Sequence, residues 1–162
     1  MKSLPLAIAA ALTIAVPAVA GAPWISIELP ANPMDRGTQG AFAVVHTYLH
    51  ERPMPYLVVG TAEGLVNNQR RSQPLTITST GRTGTMAIAK SWPNDGVWVL
   101  SLAVEGAPLN AAIGVDAGGE VAFVRVPMDR NGNARPFERG EVESLLRALA
   151  AGERAPSLSA TR

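Results

Sequence analysis

The two histidines are the residues of this chain best suited to metal chemistry. They are His46 and His50, the only histidines in the sequence, and both fall in the run AFAVVHTYLH (41–50). Because side chains alternate along a strand, the two would share one face about 13 Å apart. That is too far for both to bind one ion unless the strand is bulged or ends before His50. With the thioethers of Met34 and Met54, they form a candidate copper site; the alternative is a histidine pair on a strand face.

No arrangement typical of an enzyme follows from the sequence. The chain has no cysteine, no Gly-x-Ser-x-Gly nucleophile elbow, and no serine and carboxylate pattern around either histidine. The segment that starts at Asp129 begins like a calcium loop, but it has Ala134 and Gly140 where that loop needs glycine and glutamate. We therefore expect a protein that is not an enzyme and has no cofactor, with copper as the alternative.

Arginine and apolar side chains between predicted strands form a second candidate site, for a protein partner. The arginines lie in the polar segment VNNQRRSQ (66–73) and after the last predicted strand. The planar guanidinium pairs with carboxylates and stacks on aromatic rings, and arginine is enriched at interfaces. Apolar side chains beside the first pair are expected to be exposed contacts. The residues predicted to form this surface are Leu65, Val66, Arg70, Arg71, Arg130 and Arg135.

The first 22 residues indicate where the protein works. Lys2 gives a charged start, residues 4–16 contain no charge, and Ala18-Val19-Ala20 has the small-residue pattern of a cleavage site. This is typical of a secretory signal peptide, so we expect cleavage after residue 20 or 22 and a periplasmic or secreted protein. The alternative is retention as a membrane anchor, because the apolar stretch has about the 20 residues that a bilayer requires.

Eight short runs rich in β-branched and aromatic residues predict strands and an antiparallel β-sandwich. In VWVLSLAV, Trp98 shares the core face with Leu100, Leu102 and Val104. Hairpins are expected over 75–90 and 111–126. The predicted strands cover residues 24–29, 41–50, 55–62, 74–79, 85–90, 97–104, 110–116 and 120–126.

The periodicity changes after residue 140. Val142, Leu145, Leu146 and Leu149 recur at helical spacing and predict a short amphipathic helix, whose apolar stripe must pack on the sandwich or on a partner. The predicted organisation is a signal peptide (1–22), the sandwich (23–127), a polar linker with the helix (128–152) and a flexible tail (153–162).

The segment GTMAIAKSWPNDGVWVLSLAV (84–104) resembles the penultimate strand pair of small exported bacterial immunoglobulin-like domains of the YtkA-like and CopC-like kind. The resemblance implies an immunoglobulin-like sandwich of seven or eight strands that acts as a binding or accessory module, in some members as a copper carrier. Where the copper carriers commonly place a histidine at the mature N-terminus, this chain has Ala22-Pro23-Trp24.

The charge of the chain bears on its partners. Without Lys2, positive and negative residues balance, which argues against nucleic acid. We expect an exported accessory or stabilising subunit of an envelope or membrane-associated protein complex, acting by protein–protein contact and without a small-molecule substrate. The alternative is a periplasmic copper carrier that uses His46 or His50 with Met34 or Met54.

Overall fold

The computed structural model describes residues 23–138 and 140–152. The predicted signal peptide (1–22) and tail (153–162) lie outside these residues. The described chain forms ten strands and one helix: β1 (Trp24–Glu28), β2 (Ala43–Leu49), β3 (Arg52–Pro53), β4 (Val58–Val66), β5 (Gln69–Pro74), β6 (Thr76–Ser79), β7 (Thr85–Ala89), β8 (Val97–Val104), β9 (Asn110–Val115), β10 (Val121–Arg125) and α1 (Glu141–Ala150).

The strands form two antiparallel sheets. Sheet A has the order β1-β2-β7-β6, with β3 paired to β2, and sheet B has the order β10-β9-β8-β4-β5. Both predicted hairpins are present, as β6–β7 and β9–β10. The predicted fold class, an antiparallel β-sandwich with a short C-terminal helix, is confirmed.

The core between the sheets is organised around β8. As predicted, Trp98, Leu100, Leu102 and Val104 all point into it, and none is more than 3% exposed. Gly64 of β4 lies opposite Trp98, and a Cβ there would come within 2.6 Å of the indole ring. The indole thus occupies the space that a side chain at position 64 would need.

Helix α1 packs on the outer face of sheet B, opposite the core. Leu145, Leu146 and Leu149 contact the side of β8 that carries Val97 and Val99. Of the two expected arrangements of the helix, packing on the sandwich or on a partner, the structure shows the first. None of the described residues belongs to a helix that is long and apolar enough to cross a membrane.

Three strands, β3, β4 and β5, differ from the sequence-based prediction. Strand β4 continues to Val66, and the segment expected to be a polar connection is strand β5. The turn between them is Asn67-Asn68, with left-handed φ values of 48° and 62°, as two-residue hairpin turns require. Strand β5 lies at the edge of its sheet, where charged side chains are common, so it lacks the apolar alternation that marks inner strands. The short strand β3 was also not predicted.

Candidate functional site

Arg70 joins helix α1 to the sandwich. Its guanidinium lies 3.2 Å from a carboxylate oxygen of Glu63 in β4 and 3.1 Å from one of Glu143 in α1. Glu63 also accepts a hydrogen bond from the hydroxyl of Ser72 at 2.8 Å. Arg71, the next residue along β5, is exposed. Both arginines therefore lie in an edge strand rather than in a connection, and Arg70 has a structural role.

Arg135 holds the start of the same helix. It donates two hydrogen bonds to the carboxylate of Glu141, at 2.7 and 2.9 Å. These bonds lower the pKa of Glu141 to about 2, because they stabilise its charged form. Arg130 is exposed in the loop after β10. Of the four arginines predicted to contact a partner, Arg71 and Arg130 face solvent without an ion pair among the described residues.

The expected exposure of Leu65 and Val66 is wrong. Val66 is 8% exposed and belongs to the core between the sheets. Leu65 packs against the apolar cluster under α1. Because β4 continues through both residues, alternation turns one of them inward and the other towards the helix.

His46 lies on the outer face of sheet A, where its Nε2 is 3.2 Å from a carboxylate oxygen of Glu28. Its ring stacks on that of Tyr48, with centroids 6.4 Å apart. Strand β2 ends at Leu49, and His50 follows in a turn with a φ of 51°. The expectation that both histidines project from the same face of one strand is therefore wrong for His50.

The other two predicted copper ligands, Met34 and Met54, do not lie beside His46 on its strand face. Met54 exchanges hydrogen bonds with Thr47, which is buried on the face of β2 opposite His46. Met34 is 86% exposed in the connection between β1 and β2. No hydrogen bond in the described part of the chain joins an imidazole nitrogen to a methionine sulfur. Over residues 23–138 and 140–152, no three carboxylate or imidazole side chains form a group that could hold a metal ion.

The carboxylate of Asp129 is engaged by its own turn. It accepts hydrogen bonds from the backbone N–H groups of Asn131 and Asn133, at 2.8 and 2.9 Å. These bonds, that of Asn133 foremost, lower the pKa of Asp129. The geometry is that of an Asx turn, in which the carboxylate stabilises the loop.

Helix α1 covers only part of the outer face of sheet B. Beyond the start of the helix, Val59 of β4 is 41% exposed and pairs with Ala103 of β8. Leu57, immediately before β4, is 50% exposed. The adjacent pair of Thr61 and Ser101 borders a shallow cleft at the start of α1. We call this surface, formed by Leu57, Val59, Thr61, Ser101 and Ala103, the open face of sheet B.

A second apolar surface lies where β1 begins. Trp24 is 42% exposed and stacks on Tyr48 of β2, with ring centroids 4.1 Å apart and an interplanar angle of 13°. Trp24 also borders a cleft of about 190 Å³ with Leu109, Val126 and Met128, and Met128 is 49% exposed. We call this part of the molecule the Trp24 end; the opposite end carries the turn between β9 and β10.

A larger cleft, of about 340 Å³, opens beside the turn between β6 and β7 and is lined by Tyr56, Leu57 and Met86. The guanidinium of Arg82 at its rim pairs with Asp35. The cleft therefore presents mainly apolar and backbone groups rather than a set of convergent catalytic side chains.

Comparisons of the chain with protein-family models, with curated proteins and with solved structures found no match in any of the three. What is established is the fold itself, an antiparallel two-sheet β-sandwich with a short helix that covers part of one outer face.

Proposed function

We propose that this protein is an exported, non-enzymatic contact module that binds a protein partner through the open face of sheet B. In this role it is an accessory or stabilising subunit of an envelope or membrane-associated complex. The observation that carries the proposal is the partial cover by α1, which leaves Leu57 and Val59 about half exposed.

The open face has the composition of a contact surface. Fully burying a leucine or valine side chain contributes about 1.5–3 kcal/mol, so completing the burial of Leu57 and Val59 would contribute about 1 kcal/mol each. On the neighbouring strand β8, the face carries only the small side chains of Ser101 and Ala103. Apolar surface of this kind, when rimmed by polar residues, is typical of a protein–protein interface.

The rim of the open face is already ordered. Glu63, Arg70 and Glu143 are fixed by their mutual ion pairs at the start of α1. A partner that contacts these groups does not have to immobilise them, which lowers the entropic cost of binding.

Export and kinship with small immunoglobulin-like domains are part of the same proposal. Their support is the sequence of residues 1–22 and the two-sheet antiparallel fold, in which the turn at 93–96 carries the chain from β7 in sheet A to β8 in sheet B. The copper alternative has no comparable support, since the described contacts engage His46 with Glu28 instead.

Site-specific photo-crosslinking in the native envelope tests the proposal. A benzophenone amino acid placed at Val59 should give one discrete adduct, and the same probe at Val124, which is 47% exposed on edge strand β10, should give none. Adding Val59→Glu should abolish the adduct formed from a probe at Leu57, because it places a charge in the interface. Equal adducts at positions 59 and 124, or none from 57 and 59, would refute the proposed contact surface.

A further inference from the structure

We propose that the Trp24 end of the sandwich is a lipid-contacting surface, which lies against a bilayer with Trp24 and Met128 at the polar–apolar interface. This inference is distinct from the protein contact through the open face of sheet B, because it is carried by Trp24 and Met128 and involves a different partner. Leu57 is the one residue that the two surfaces share.

The first support is the chemistry of this end. Trp24 and Met128 border the same cleft, and about half of each side chain is exposed. Leu57, the residue before β4, belongs to the same end, because Val58 pairs with Val104, close to Leu109 of the cleft. Tryptophan and tyrosine favour membrane interfaces, where an apolar ring lies beside a polar group. The stacked pair of Trp24 and Tyr48 has this character.

The second support is the chain that precedes Trp24. Residues 3–22 contain no charged side chain and lead directly into β1, and about 20 such residues match the thickness of a bilayer. If the segment is retained, it holds Trp24 close to the membrane. If it is removed, the new α-amino group lies at the same end and, being largely positive at neutral pH, is attracted to anionic headgroups.

The charged side chains at this end give no excess of positive charge. Arg52 and Arg130 are exposed there, next to Glu51 and Asp129, and Glu105 is exposed in the turn between β8 and β9. Arg82, in the turn between β6 and β7, pairs with Asp35. These side chains therefore attract anionic headgroups only weakly, and the apolar side chains are expected to provide most of the binding.

Quenching by lipids with brominated acyl chains tests the proposal, because the chain has only three tryptophans. Trp92 and Trp98 are 4% and 2% exposed, so quenching reports on Trp24. The full chain is mixed with vesicles of phosphatidylethanolamine and phosphatidylglycerol, with and without bromine near the headgroup. We expect brominated vesicles to remove the emission of Trp24, and Trp24→Tyr to abolish this loss.

Two variants in which the exposed tryptophan is moved to another position distinguish two cases. In one, the whole Trp24 end contacts the bilayer; in the other, only the chain that precedes Trp24 is attached to it. In Trp24→Tyr with Met128→Trp, the reporter lies at the same end but far from residue 22 in sequence, and it should be quenched. In Trp24→Tyr with Val121→Trp, it lies at the opposite end, at a position that is 39% exposed, and it should not be quenched. Circular dichroism melting of each variant verifies that it is folded.

Three outcomes would overturn the proposal. They are the absence of Trp24 quenching, quenching of Trp24 without that of the reporter at 128, and equal quenching of the reporters at 121 and 128. These vesicles contain no other protein, so each of these outcomes leaves the proposed contact through the open face of sheet B untouched.

Discussion

Replacing Gly64 with alanine should destabilise this protein, although alanine is otherwise the better residue in a strand. The added Cβ would lie 2.6 Å from the Cε3 and Cζ3 atoms of Trp98, whereas carbon atoms pack favourably at about 3.5–4.0 Å. The indole has little freedom to move away, because it is 2% exposed and its Nε1 donates a 2.9 Å hydrogen bond to the carbonyl of Asp95.

The magnitude follows from two opposing effects. Overpacking a closed core costs about 1–3 kcal/mol, while replacing glycine with alanine stabilises by about 0.4–1 kcal/mol through the unfolded chain. We expect Gly64→Ala to lower the free energy of unfolding by about 1–2 kcal/mol. In a Trp98→Leu background the ring is gone, so the same substitution should be neutral or stabilising. The coupling between the two positions should be about 2 kcal/mol.

Urea unfolding of the parent, both single variants and the double variant, followed by circular dichroism, measures this coupling. Fluorescence is unsuitable because one substitution removes a tryptophan. An equal cost of Gly64→Ala in both backgrounds would refute the reasoning, since the penalty would then come from the strand and not from the indole.

Other predictions concern ionisation, processing and metal. Because the pKa of Glu141 is lowered to about 2 from 4.5, its pairing with Arg135 stabilises the fold above about pH 4.5 and is lost towards pH 2. Glu141→Gln should therefore cost about 1 kcal/mol at neutral pH and converge with the parent as the pH falls, as urea unfolding will show; a constant difference would contradict this. Intact-mass analysis should find cleavage near Ala18-Val19-Ala20, and a chain that still carries Lys2 would instead indicate an anchor. Copper titration calorimetry should not distinguish the parent from His46→Ala, His50→Ala; a tight site lost in the double variant would favour the copper carrier.

Elements with strong periodicity could be predicted from the sequence. The alternation in VWVLSLAV (97–104) predicted both the strand and its buried face, because a period of two matches the pleat of a strand between two apolar layers. The helical spacing of Leu145, Leu146 and Leu149 predicted α1 for the equivalent reason. Both predictions agree with the structure.

Elements defined by their neighbours could not be predicted in this way. Strand β5 has a polar sequence, and it is a strand because β4 provides hydrogen-bond partners along its whole length. The available signal was Asn67-Asn68, since asparagine tolerates the left-handed φ of a two-residue turn. Extending β4 up to that turn would have identified Val66 as a buried strand residue.

The sequence alone therefore determined the local periods and the absence of recognisable catalytic motifs, and it predicts an export signal, because these depend on residues close together in the chain. Only the tertiary structure decided which charged side chains are paired within the molecule and which apolar side chains stay exposed to a partner. Arg70 meets Glu143 across more than seventy positions of sequence, and the place where α1 ends its cover decides that Leu57 and Val59 stay exposed while Leu65 does not. Such pairings depend on how sheets and helix pack, which no local pattern encodes.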